Sequence, residues 1–127
     1  MKIRTYLESA GGIVMGLFLG LHPLIQALVA LMALDVLSGL LAGYVTRSLD
    51  SAISARGMAK KAFAFLLVAT GYIVSSFAEF GIELGPIIAG FYCVHELLSI
   101  IENAGRAEFP IPKTLLDALA KLQKTFP

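Results

Sequence analysis

The sequence is short of charge. Asp, Glu, Lys and Arg make up 15% of its 127 residues, against about a quarter in an average soluble domain. Hydrophobic residues reach 57% and mean hydropathy is +0.82. That balance excludes a soluble globular domain and points to an integral membrane protein. A net charge of +1 leaves no basic field of the kind nucleic acid requires, so no nucleic-acid partner is expected. The lone cysteine, Cys93, excludes an internal disulfide and, set in an apolar run, reads as a small buried filler. Glycine-rich phosphate loops, HExxH and GxSxG are all missing, so neither an enzyme nor a cofactor is expected. His95 and Glu96 are adjacent, point different ways and lack a third ligand, which argues against a metal. There are no internal repeats, low-complexity tracts or strand-like alternations, which leaves helices.

What is present is a series of apolar runs. At roughly 20 residues per crossing the chain has room for three or four spans and little else. Lys2 and Arg4 precede the first run as in a signal peptide, but no polar mature start follows, so the run reads as a retained span. His22-Pro23 interrupts the charge-free stretch Ser9 to Leu34. Proline disfavours helix in the residue before it and suits a helix's first turn, so a turn at His22 with Pro23 opening a second helix to about Val45 is expected. A polar, cationic connection follows, then an apolar run from Ala62 to Ala78, a loop at Glu79 to Pro86, a run from Pro86 to Ile101, and a short helix near Thr114 to Lys124.

The cations choose the topology. All ten Lys and Arg lie in three segments: Lys2 and Arg4; Arg47, Arg56, Lys60 and Lys61; and Arg106, Lys113, Lys121 and Lys124. With four crossings all three fall on one side, which the positive-inside rule makes cytoplasmic together with both termini. Length opposes this: Tyr6 to Leu21 covers only about 24 Å as a helix, short of a ~30 Å hydrocarbon core, and Pro86 to Ile101 shares the deficit. A three-crossing variant with the last segment in the interface therefore stays open. The expected fold is an all-α integral membrane protein of short-loop helical hairpins. Three to four transmembrane helices fill residues 1–105, and a cytoplasmic amphipathic tail fills 106–127.

Three patterns stand out within the runs. Gly12, Gly16 and Gly20 repeat every four residues and share one helix face, as helix packing in lipid requires. Asp35, Gly39 and Gly43 form a second such ridge. An Asp at mid-helix costs roughly 2.5–3.5 kcal/mol on insertion scales, so Asp35 is expected to meet a helix partner or water. Lastly, His95, Ser99, Glu102 and Arg106, with Glu96 and Asn103, fall within about 120° of one helix, across from Leu97 and Ile101. This stripe either lies on the membrane surface or lines a wet interior. In the tail, Leu115, Leu119, Leu122 and Phe126 oppose Lys113, Asp117, Lys121 and Lys124, a pattern suited to an anionic leaflet.

The sequence resembles the phage holins of the toxin secretion/phage lysis type, phage holin family 4, in three blocks: LDVLSG (Leu34 to Gly39), LDSAISARGMAKKAF (Leu49 to Phe63) and HELLSIIENAGRAEFPIPKTLLDAL (His95 to Leu119). The resemblance implies a homo-oligomer of the bacterial cytoplasmic membrane that opens a lesion at a set time, with endolysin or a toxin as passing cargo and lipid as its other partner. Assembly would use Gly12, Gly16, Gly20, Gly39 and Gly43. Asp35, His95, Glu96, Ser99 and Glu102 are the candidates for intramembrane or pore-lining roles, and Arg47, Arg56, Lys60 and Lys61 for fixing orientation. A small channel or transporter, and an antiholin-type regulator restraining a partner, are the alternatives.

Overall fold

The computed structural model describes residues 2–48, 55–77 and 81–125, with the backbone alone at Tyr6 and Leu7. Five helices follow one another: α1 (Lys2–Leu19), α2 (Pro23–Thr46), α3 (Ala55–Phe77), α4 (Leu84–Arg106) and α5 (Lys113–Thr125), with no strand among the described residues. Leu49, Asp50 and Ser51 of the second block, Glu79 of the expected loop, and Phe126 of the tail lie outside the described residues.

The break between α1 and α2 falls where proline chemistry places it. His22 is the N-cap of α2, its Nδ1 accepting from the Leu24 amide at 3.1 Å, and Pro23 is the first helical residue, where its missing N–H costs nothing. Gln26 ties the turn down by donating to the carbonyls of Leu19 and Leu21. At the far end of α2, Arg47 takes a left-handed conformation (φ 54°) while Ser48 N–H reaches back to the Gly43 carbonyl, a Schellman closure built without glycine. Glu108 (φ 57°) ends α4 in the same way, with Phe109 N–H on the Ala104 carbonyl, and Pro110 and Pro112 prevent continuation.

Three helices, α2, α3 and α4, are long and apolar enough to cross a membrane. Two expectations about lengths change. The last run is not short: α4 continues five residues past Ile101, to about 34 Å, because Asn103 and Arg106 find acceptors on α2. Likewise α3 begins seven residues before Ala62, so Arg56, Lys60 and Lys61 belong to its first two turns rather than to a connection. α1 carries Lys2, Arg4 and Glu8 in its 18 residues and is not among the helices apolar enough to span.

Helix α4 packs against both α2 and α3. Leu28 and Met32 of α2, Ala64 and Val68 of α3 and Ala89 of α4 form the core, with Cys93 half-buried beside them. Leu28 and Ala89 share the core while Gly39 meets Asn103 further along, which makes α2 and α4 parallel, and the Gly71–Gly85 and Lys61–Glu96 contacts make α3 antiparallel to them. Outward-facing Leu34, Leu37, Leu41, Phe63 and Phe77 are more than half exposed, an apolar exterior that suits lipid and not water. Gly71 and Gly85 let α3 and α4 touch: a Cβ at Gly71 would lie 3.1 Å from the Gly85 backbone, and one at Gly85 would lie 2.5 Å from the Tyr72 ring. Ser75 Oγ then accepts from the Leu84 amide, closing the hairpin.

Candidate functional site

Halfway along the bundle the polar residues converge. Asp35 lies twelve residues into α2, about 18 Å from its start, on the face turned to α3 and α4. There Lys61 Nζ donates to Asp35 Oδ2 at 2.6 Å and to Glu96 Oε2 at 2.7 Å. The three side chains retain only 15%, 15% and 5% of their exposure, in the order Lys61, Asp35, Glu96. One ammonium thus joins three helices. Charges at this depth are tolerated only when paired and hydrogen-bonded, and the triad meets that condition within a single chain.

Asn103 completes the arrangement. Its Nδ2 lies 3.0 Å from Asp35 Oδ1, 2.9 Å from Ser38 Oγ and 3.2 Å from the Asp35 carbonyl, so two N–H groups are shared among three acceptors. Ser38 Oγ donates in turn to the Asp35 carbonyl at 2.9 Å. Replacing Asn103 by Leu is expected to cost about 1–2 kcal/mol, since interhelical hydrogen bonds in membrane bundles average ~0.6 and rarely exceed ~1.7 kcal/mol. Detergent unfolding followed by helix content measures it, and an unchanged midpoint would show that Asn103 holds nothing.

The amphipathic stripe of α4 divides over this site. Glu96 is buried and Ser99 and Asn103 half-buried, whereas His95, Glu102 and Arg106 are exposed. The exposed members, with Lys60 of α3, line a cleft of about 620 Å³ whose floor is the triad. No group of three or more candidate ligands for a metal occurs among the described residues.

The glycine ridges separate as well. Gly39 and Gly43 are buried, Gly39 against Asn103 of the same chain. Gly12 and Gly16 have open space where a Cβ would stand, and Gly20 meets only its own helix's backbone. Of the cations expected to fix orientation, Arg47, Arg56 and Lys60 are exposed at the end of the bundle where α2 and α4 finish and α3 starts. Lys61 turns inward. Sequence patterning placed Lys61 with its neighbours because nothing local distinguishes it from Lys60. The Gly71–Gly85 contact was not announced: Gly71 stands in no glycine repeat, and the Gly81/Gly85 pair falls in the expected loop.

A family model described as the bacteriophage holin family matches residues 12–124. Among curated proteins, an uncharacterised protein of Halalkalibacterium halodurans is 37% identical over 105 residues, 79% of this chain and 78% of that one. The uncharacterised 14.9 kDa protein in the nagH 3′ region of Clostridium perfringens is 34% identical over 101 residues, covering 79% and 76%. An uncharacterised Listeria innocua protein is 31% identical over 105 residues, covering 82% and 75%. No solved structure matches.

Proposed function

Because the chain belongs to the bacteriophage holin family, we propose that it accumulates as homo-oligomers in the bacterial cytoplasmic membrane and opens a lesion through which an endolysin, or a toxin, leaves the cell. The observation that carries this reading is the mid-bundle triad. Asp35 and Glu96 share the Lys61 ammonium, and Asp35 also accepts from Asn103, all inside one chain whose exterior is apolar, so a dispersed subunit is tolerated in lipid, and the same polar groups are at hand to line water when subunits reorganise. The cationic ends of α2, α3 and α4, together with α5, face the cytoplasm.

Assembly runs through α1. Its ladder at Gly12 and Gly16 has no neighbour in the monomer, so a second helix can approach closely there, while Gly39 serves the internal contact between α2 and α4. Gly16→Leu is expected to leave unfolding of the monomer unchanged, abolish cross-linked oligomers and delay lysis. Intact cross-linked ladders in that variant would remove α1 from the assembly face.

Expression in bacteria alongside a cytoplasmic muralytic enzyme tests the function. Abrupt death with enzyme release is expected. Ion leakage with the enzyme retained would make the protein a channel instead. Harmless accumulation that delays lysis by a second holin would make it a regulator.

A further inference from the structure

The cleft above the triad has a direction. Its walls run along α4 from His95 to Arg106, eleven residues or about 16 Å. Lys60 faces them from α3. Arg106 stands in the last turn of α4, beyond Glu96 of the floor, so the mouth opens at the cationic end of the bundle. The floor, closed by Lys61 between Asp35 and Glu96, lies at mid-depth.

The α4 wall is polar, while Val36, Phe63, Ala64 and Tyr92 supply apolar lining around it. Among the described residues, Lys60, His95 and Glu102 take part in no hydrogen bond or ion pair, and the half-buried Ser99 hydroxyl has no partner either. Such groups at membrane depth cost several kcal/mol each if left dry. A space of about 620 Å³ with these polar groups along one wall and its floor holds on the order of twenty waters at roughly 30 Å³ each. Acids and bases are balanced along it, with Asp35, Glu96 and Glu102 against Lys60, Lys61 and Arg106, so its contents are water and small hydrophilic solutes rather than an ion of one sign.

We infer that this cleft is a one-sided aqueous vestibule, present in each unassembled subunit, that carries water from the cationic face to the Lys61 bridge and stops there. Each chain thus contains half of a conduction path before any lesion forms. The inference deepens the pore-forming reading and relies on it only for naming the cationic face cytoplasmic.

Single cysteines in a Cys93→Ser background test it, expressed below the lethal level and labelled with a membrane-impermeant methanethiosulfonate in right-side-out and inside-out vesicles. Thiolates react and thiols buried in lipid do not, so Ser99→Cys and Glu102→Cys are expected to label from the cationic face within about tenfold of the rate at Lys124→Cys, and Leu97→Cys at least ~100-fold more slowly. No vestibule residue should label from the opposite face. If Ser99→Cys and Glu102→Cys are both as slow as Leu97→Cys, the cleft is dry and the inference falls. If both label equally from either face, the floor is open and the one-sided vestibule is wrong. The rates are read without lysis or enzyme release, so failure of the lesion reading leaves this result standing, and the reverse also holds. Helix content of each variant in detergent micelles confirms that the labelled protein is folded.

Discussion

Lys61→Met unfolds the bundle at a much lower denaturant concentration, with an expected loss of about 3–5 kcal/mol, the usual cost of removing one member of a buried ion pair. The loss has little to do with the attraction itself. Asp35 and Glu96 would remain at mid-depth, the latter only 4% exposed, as two carboxylates without a counter-charge. The triple variant Asp35→Asn, Lys61→Met, Glu96→Gln removes the charges together and should recover most of the stability, because apolar or neutral replacements of a whole buried charge cluster are often close to neutral. Urea or dodecyl sulfate titration in micelles, followed by far-ultraviolet circular dichroism, gives both numbers. A single variant as stable as the parent would mean that Lys61 does not hold the helices together.

Gly71→Leu is the second large effect. The new Cβ would sit 2.8 Å from Ile88 Cδ1 and 3.1 Å from the backbone of Gly85. Ile88 Cδ1 is the far end of a flexible side chain and can shift, whereas the Gly85 backbone cannot. Overpacking of this kind costs typically 1–3 kcal/mol and at times more, and here the relief available is separation of α3 from α4. Gly85→Leu is expected to do the same against Tyr72, whose near-ring atoms lie 2.5–2.8 Å from the added Cβ. The control is Gly16→Leu, where the monomer offers nothing to collide with. Equal unfolding midpoints for Gly71→Leu and Gly16→Leu would show that the tight approach of α3 and α4 is not needed.

Legibility in the sequence followed how local each cause is. The turn at His22 and the start of α2 were readable because proline fixes its own φ and constrains the residue before it. Asp35 was readable as a residue in need of a partner, since desolvation is a property of the side chain alone. Which partner was not: Lys61 stands 26 positions away and Asn103 stands 68 away, and in one dimension Lys61 is indistinguishable from Lys60. The extent of α4 was missed for the same reason. Glu102 to Arg106 look like the polar end of a span until Asn103 and Arg106 are seen to turn toward α2. The stripe on α4 was found as a pattern with two readings, surface or wet interior. The structure divides its members between a helix contact and the cleft.

Lys61's position bears on which helix completes the bundle. α4 packs against both α2 and α3, whereas α2 and α3 meet each other sparingly, and the Lys61–Asp35 bridge spans the two. The last of the three helices in chain order is therefore the one that supplies packing to the other two. It also brings Glu96 onto an ammonium that Asp35 shares, so the helix that closes the bundle leaves its centre with one carboxylate in excess, and Asn103 of the same helix donates to Asp35.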